Sequence, residues 1–202
     1  MELVLSTVAQ GLLWAVLAIG LFITFRILDI ADLSIEGTYP LGGAIAVMTI
    51  TGGGSPLLAV IFAFFGGCIA GAVTGFLHTK LKIPALLAGI LTMIGLYSIN
   101  LRIMSMKANT PVNPDKYSLF LTLRSVPGAI WKGLLLAAVL IALLYWYFGT
   151  EQGSAIRATG ANPSMSRAQG ININAMKVLG LSLSNGMVAL SGGLMAQYQG
   201  FA

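Results

Sequence analysis

Charged side chains are scarce in this chain of 202 residues: they make up 8% of it, against 57% hydrophobic residues, and the mean hydropathy is +0.89. A soluble domain needs charge in about a quarter of its residues to cover its surface. This shortage excludes a chain that faces water on all sides, so most of its solvent must be lipid. The net charge of +5 is a small basic excess, which suits cytoplasmic loops and lipid headgroups rather than a nucleic-acid surface.

Residues that carry catalysis or bind metals are also few. Cys68 is the one cysteine, which excludes an internal disulfide, and His78 is the one histidine and has no metal-binding partners near it in the sequence. The chain also lacks the Gly-x-x-x-x-Gly-Lys-Ser/Thr loop that holds nucleotide phosphates. The sequence therefore predicts no metal site, no cofactor bound by this chain and no enzymatic activity of its own.

Long apolar runs are what the sequence has in abundance. A helix needs about 20 apolar residues to cross the hydrocarbon layer, and no run shows the two-residue alternation of a half-buried strand. We therefore predict an all-α, polytopic transmembrane helix bundle. Its five predicted spans are residues 3–25, 56–77, 84–101, 133–148 and 178–197.

Two polar features border these spans. Asn100, at the end of the run 84–101, is expected at the membrane interface. Residues 102–132 contain three prolines and several charges, so we predict an extramembrane loop with one short amphipathic piece at residues 117–123.

A sixth apolar run, residues 39–51, covers only about half of a membrane span. The glycine triplet 52–54 and Pro56 follow it and cannot continue a helix. Either the helix starts earlier, within residues 34–37, or the second helix is broken inside the bilayer, where protein or water must satisfy the irregular backbone. We predict that residues 29–40 interrupt regular helix and place Gly37 and Pro40 at a turn or helix start.

Carboxylates cluster in this broken segment. Asp29, Asp32 and Glu36 are three and four residues apart, so a helix would align them on one face. They could line a translocation pathway or close a gate, because carboxylates inside membranes are commonly functional; hydrated side chains at the cytoplasmic interface are the alternative. Asn185 in the last span could meet a polar solute, or it could form hydrogen bonds between helices.

Glycines recur every four residues in the run 56–77, at Gly67, Gly71 and Gly75. At 3.6 residues per turn they share one helix face. Such a stripe favours close packing against another helix in a membrane, and we predict that role.

The break between the last two spans, residues 149–177, predicts two short helices. Asn162 followed by Pro163 is a strong helix start, with a side-chain acceptor at N-cap and proline at N1. Gly170 suits the position after a helix end, and residues 152–159 form a helical candidate upstream, closed by Gly160. A compact, weakly charged element between two spans indicates a docking surface.

The stretch Ala155-Ile-Arg-Ala-Thr-Gly-Ala-Asn-Pro-Ser-Met-Ser-Arg-Ala-Gln-Gly-Ile-Asn resembles the cytoplasmic coupling loop of ABC importer permeases of the branched-chain amino acid and ribose type. Residues 25–44 also resemble that family's break after an early helix, and more narrowly a bacterial subgroup associated with tryptophan, tyrosine or related small solutes. The resemblance covers essentially the whole chain. It implies a multi-pass protein of the bacterial inner membrane that forms half of an importer pore.

Partners follow from the same resemblance. It implies a second permease copy, two ATP-binding subunits that use ATP and Mg, and an extracytoplasmic binding protein that delivers the solute. Small Ala158 and Gly160 would let the loop seat in a groove on the ATPase, with Met165 as an apolar contact. The residues that this loop would contribute to coupling are Arg157, Ala158, Gly160, Asn162, Met165, Arg167, Gly170 and Ile171.

Permeases of this kind carry further spans after the one ending near Gln197. We therefore expect residues 1–202 to form one permease domain that is incomplete at its C-terminus, with the coupling loop 149–177 inside it. If the broken second helix is counted as a crossing, a cytoplasmic coupling loop places the N-terminus outside by alternation. The rival interpretation is a secondary transporter driven by ions through Asp29, Asp32 and Glu36.

Overall fold

The computed structural model describes residues 2–107, 109–112, 119 and 126–201. In these ranges the chain forms α-helices and one isolated β-bridge between Pro111 and Phe201, so the predicted all-α class is confirmed. The predicted interfacial piece 117–123 lies outside the described residues, apart from Leu119. The eight helices are α1 Glu2–Phe22, α2 Ile35–Thr51, α3 Pro56–Thr79, α4 Ala85–Ile103, α5 Val126–Gly149, α6 Glu151–Ala161, α7 Pro163–Ala168 and α8 Ile173–Gln199.

Five helical segments are long and apolar enough to cross a membrane, and they coincide with the five predicted runs. The first continues α1 through a π-helical turn, Ile23–Ile27. Each extends beyond the predicted run by a few residues, because polar residues such as His78 and Arg102 occupy the last helical turns. The segments are Val4–Ile27, Pro56–Thr79, Ala85–Ile103, Gly128–Gly149 and Ile173–Gln199.

Helix α8 lies at the centre of the bundle and packs against α1, α2 and α3. Its polar side chains reach the backbone of the helices around it: Ser182 donates to the Cys68 carbonyl at 2.8 Å, and Ser184 donates to the Gly20 carbonyl at 2.7 Å. A helix buried on all sides must pair such groups within the protein, because lipid offers no partner.

The segment between the first two of these spans, residues 28–51, combines an irregular stretch with a helix. Residues 28–34 are not helical, and α2 begins at Ile35, which agrees with the predicted start within residues 34–37. Pro40 lies inside α2 rather than at its start, so that part of the prediction is wrong. A proline within a helix removes only one intrahelical donor, here the one for the Glu36 carbonyl, and the helix accommodates it.

The bundle has two distinguishable ends. At the end that carries α6 and α7, Lys177 of α8 lies 3.2 Å from the ring of His78 of α3. At the opposite end Gln197 donates to the Pro56 carbonyl at 3.1 Å. We call these the α6–α7 end and the opposite end, and Asn185 lies near the middle of α8 between them.

Candidate functional site

A buried polar network joins the irregular stretch to the middle of α8. The Asn185 amide donates to Asp32 Oδ2 at 2.7 Å and to the Leu181 carbonyl at 3.1 Å. The Asn185 carbonyl oxygen accepts from the Ser34 hydroxyl at 3.2 Å and from the Thr38 hydroxyl at 2.7 Å. Asp32 Oδ1 accepts from the Ser34 backbone N–H at 2.8 Å. The network therefore anchors the irregular stretch onto α8.

Burial decides how these groups act. Asp32 is 2% exposed and Asn185 is fully buried, and the polar atoms of both have partners from the protein. Such satisfied groups at membrane depth stabilise irregular backbone that lipid could not solvate. In this conformation the two predicted pathway residues hold helices together.

The three carboxylates do not share one helix face, because residues 28–34 are not helical. Asp29 is exposed, with φ of 54°, Asp32 is buried and Glu36 is exposed in the first turn of α2. Asp29 lines a cleft at the α6–α7 end together with Arg26 and Arg157. The alignment that the spacing suggested is therefore absent, and each carboxylate has different surroundings.

A cleft lies between α2 and α4, and α8 residues such as Gly192 and Met195 line part of it. It consists of two cavities of about 400 and 410 Å³ that share Pro40, Tyr97 and Asn100. Glu36 lines the cavity nearer the middle of the bundle, and Lys107 lines the one nearer the opposite end. The shared residues make the two cavities neighbouring parts of one cleft, which we call the α2–α4 cleft.

Sequence reasoning missed two residues of the α2–α4 cleft. Asn100 was expected at the membrane interface, but it is 7% exposed, and its amide nitrogen donates to the Gly37 carbonyl at 3.1 Å. Tyr97 is 68% exposed and precedes Asn100 by one helical turn. The available signal was an amide and a phenol on one face of a largely apolar helix.

The glycine stripe lies against α8. A β-carbon at Gly67 or Gly71 would collide with a backbone carbonyl of α8, which for Gly71 is the carbonyl of Leu181. A β-carbon at Gly75 would lie 2.8 Å from the Val178 Cα. Since the obstructing atoms include backbone, the helices cannot yield by rotating a side chain. Glycine at these positions therefore permits the close approach of α3 to α8.

The segment between α5 and α8 folds as two short helices, α6 and α7, with Asn162 as the corner. Asn162 Oδ1 accepts from the Met165 N–H at 3.0 Å, which caps α7, and Gly170 beyond its end has φ of 81°. Asn172 caps α8 in the same way, accepting from the Ala175 N–H at 3.2 Å. The predicted helix start and stop chemistry is thus present in the structure.

The exposed surface of α6 and α7 includes most of the predicted coupling residues, but Gly160 serves a different contact. A β-carbon on Gly160 would collide with the Ile27 carbonyl, so this glycine packs α6 against the π-helical turn. It also lies within α6 rather than at the corner. The sequence indicated a close approach at Gly160 but could not indicate its partner. Arg157, Asn162, Met165, Arg167 and Gly170 are exposed, whereas Ala158 and Ile171 are half-buried.

Comparisons with known proteins agree with the resemblance found in the sequence. Residues 3–202 match the family described as branched-chain amino acid transport system / permease component. The tyrosine transport system permease protein of Clostridioides difficile (strain R20291) is 43% identical over 199 residues, which cover 98% of this chain and 66% of the relative. No solved structure matches the chain.

Two further relatives show the breadth of the match. An uncharacterized protein of Rickettsia prowazekii (strain Madrid E) is 35% identical over 204 residues, covering 100% of this chain and 70% of that protein. The ribose import permease protein RbsC of Escherichia coli (strain K12) is 30% identical over 186 residues, covering 88% and 56%. The chain thus spans between about half and 70% of the length of these relatives.

Proposed function

The chain belongs to the branched-chain amino acid transport system permease family, and from this membership we propose that it forms half of the translocation pathway of an ATP-driven importer. It is a multi-pass protein of the bacterial inner membrane and a transport component rather than a catalytic subunit. In the proposed assembly a second permease copy supplies the other half. An extracytoplasmic binding protein delivers the solute, and separate subunits bind ATP and Mg.

An amino acid is the solute that the comparisons favour. The Clostridioides difficile relative carries tyrosine transport in its name, and it is more similar to this chain than the Escherichia coli ribose permease is. We therefore propose amino acid import, with an aromatic amino acid as the first solute to test.

The exposed surface of α6 and α7 is the observation that carries the coupling role. Met165 is 58% exposed, and Arg157 and Arg167 are exposed as well. An exposed apolar side chain beside cationic ones suits a protein partner, since interface cores favour methionine and arginine. α6 and α7 connect directly to α5 and α8, so a partner that moves them acts on two spans at once.

Short capped helices can transmit such a movement. The bonds at Asn162 and Asn172 fix where α7 and α8 begin, and α6 is held to the π-helical turn at Gly160. If the ATP-bound and ATP-free partners favour different arrangements of this element, the attached spans rock and switch access from one side to the other.

Met165→Glu in the full-length permease, reconstituted with its ATPase, tests the coupling role. A buried carboxylate at the contact is expected to lower solute uptake roughly ten-fold or more, because central apolar contacts carry most of the binding energy. ATP hydrolysis should lose its dependence on the binding protein. Gly160→Glu would not separate coupling from folding, since any β-carbon there collides with Ile27.

Met165→Leu is the matched control. Leucine keeps an apolar side chain of similar size at the same exposed position, so this substitution should leave uptake and hydrolysis unchanged. Equal behaviour of the two variants would refute the coupling role of α7.

The ion-coupled carrier finds no support. Of the three carboxylates it required, Asp32 is sequestered by hydrogen bonds, and the matched family is a permease family. Uptake in vesicles that hold a proton or sodium gradient but no ATP tests the choice directly. Uptake under those conditions would favour the carrier.

A further inference from the structure

Asn100 has a buried acceptor without a donor. Its amide nitrogen donates to the Gly37 carbonyl, and this bond fixes the amide orientation, because the reverse orientation would set two oxygens against each other. Its Oδ1 is buried and has no hydrogen-bond partner among the residues that the structure describes. Buried polar atoms in native proteins are nearly always paired. A donor from outside these residues would satisfy this oxygen, and Asn100 lines the α2–α4 cleft.

Glu36 adds a negative charge to the same part of the cleft. Its carboxylate forms no ion pair or hydrogen bond with the described residues. Glu36 lies in the first turn of α2, which begins beside the buried network near the middle of α8. Pro40 has no N–H to give to the Glu36 carbonyl. The inner end of the cleft therefore offers acceptors from Glu36 and Asn100, and a cationic group with several N–H donors, such as an ammonium group, is their chemical complement.

The walls of the cleft are apolar and aromatic. Tyr97 stands exposed between the two cavities, Met93 and Ile94 line the inner one, and Tyr39 and Met104 line the outer one. Small-molecule sites commonly combine such walls with a few convergent polar groups. A large apolar or aromatic side chain would lie against these rings and thioethers.

Lys107 gives the outer cavity a positive charge. The ammonium and carboxylate groups of an α-amino acid are attached to one carbon, so the recognition is assigned to the inner cavity, where Glu36 and Asn100 lie together. Resting on the proposed function, we infer that the α2–α4 cleft is the solute-binding surface of this chain, and that Glu36 and Asn100 hold the ammonium group of an amino acid with an aromatic or large apolar side chain.

Trp14 provides a direct readout of occupancy. Its ring stacks on Tyr39, with centroids 5.5 Å apart and an interplanar angle of 18°, and Tyr39 lines the outer cavity. L-phenylalanine does not absorb light at the wavelengths that excite tryptophan selectively. Titrating it into the full-length permease in nanodiscs should change Trp14 emission, and Trp14→Phe should remove that change.

Glu36→Gln tests the inferred role of the carboxylate. Glutamine has nearly the same size as glutamate, and the side chain is exposed, so the variant should fold. It should bind L-phenylalanine on the order of ten-fold or more weakly, because one charge-assisted hydrogen bond is lost. Glu151→Gln, which alters another exposed carboxylate on α6, should bind as the unsubstituted protein does.

Two ligand analogues test the recognition without altering the protein. 3-Phenylpropanoate, which lacks the ammonium group, should bind the unsubstituted protein about as weakly as L-phenylalanine binds Glu36→Gln, again a loss of roughly ten-fold or more. Phenethylamine, which lacks the carboxylate, should still bind the Glu36→Gln variant more weakly than the unsubstituted protein. Equal binding of L-phenylalanine and 3-phenylpropanoate, unchanged binding by Glu36→Gln, or no emission change at all would overturn the inference. ATP-driven uptake is measured separately: binding without such uptake contradicts the proposed function and leaves the cleft standing.

Discussion

Asn185→Ala tests whether the buried network holds the irregular stretch, residues 28–34, in place. The substitution removes the donor to Asp32 Oδ2, which lies 2.7 Å from the amide nitrogen, and the acceptor for the Ser34 hydroxyl. Thr38 keeps a partner, because its hydroxyl also lies 2.9 Å from the Ser34 carbonyl oxygen. One carboxylate oxygen and one hydroxyl thus lose their partners in the middle of the bundle.

The magnitude follows from these two orphaned groups. Leaving a buried polar group unpaired costs about 1–3 kcal/mol, and more when the group is charged. For Asp32 and Ser34 together we expect about 3–5 kcal/mol of lost unfolding free energy. A single interhelical hydrogen bond in a membrane contributes far less, about 0.6 kcal/mol on average. Ser191→Ala, which removes one 2.7 Å bond to the Leu13 carbonyl, is therefore the matched control.

Unfolding of the purified full-length protein in mixed detergent and SDS micelles measures both variants. The double variant Asp32→Asn, Asn185→Ala adds a test of sign: removing the charge should recover part of the stability that Asn185→Ala loses, because a neutral amide is less costly to leave unpaired than a carboxylate. If Asn185→Ala costs no more than Ser191→Ala, or if the double variant is the least stable, the reasoning about this network is wrong.

Two packing predictions follow from glycines whose β-carbon would meet backbone. Gly71→Leu should lower the unfolding free energy by roughly 1–3 kcal/mol or more, since its β-carbon collides with the Leu181 carbonyl. A loss below about 0.5 kcal/mol, which is the usual scatter of surface substitutions, would contradict the packing. Gly160→Ala should cost a similar amount through the Ile27 carbonyl, measured by the same unfolding assay. Gly11→Leu, with nothing within 4 Å of its β-carbon, is the control for both.

Local signals predicted the helices well. The spans could be predicted from the length of the apolar runs and the thickness of a bilayer. The caps at Asn162 and Gly170 could be predicted from the residues next to them in the sequence. The short run 39–51 likewise revealed the break, because a helix of that length could not cross. Each of these features depends on residues close together in the chain.

Tertiary contacts explain what sequence reasoning missed. The spacing of Asp29, Asp32 and Glu36 indicates one face only if the segment is helical, and its hydrogen bonds to Asn185, about 150 residues away, replace the helix. Asn100 looked interfacial because it stands at the end of an apolar run, yet α2 covers it through Gly37. Pairings between residues far apart in the chain leave no local periodicity to detect.

Helix α8 connects the two regions for which functions are proposed. Four residues separate its start from the end of α7, and it holds the irregular stretch through Asn185. Farther along, α8 packs closely on Tyr39 of the α2–α4 cleft, because a β-carbon at Gly192 would collide with the Tyr39 carbonyl. A continuous helix keeps its hydrogen bonds when it tilts, whereas residues 28–34 lack a helical ladder and are held by side chains. Movement imposed at the α6–α7 end would therefore be absorbed in the irregular stretch, beside Glu36. The same network that stabilises this fold thus lies between the surface proposed for coupling and the cleft inferred to bind the solute.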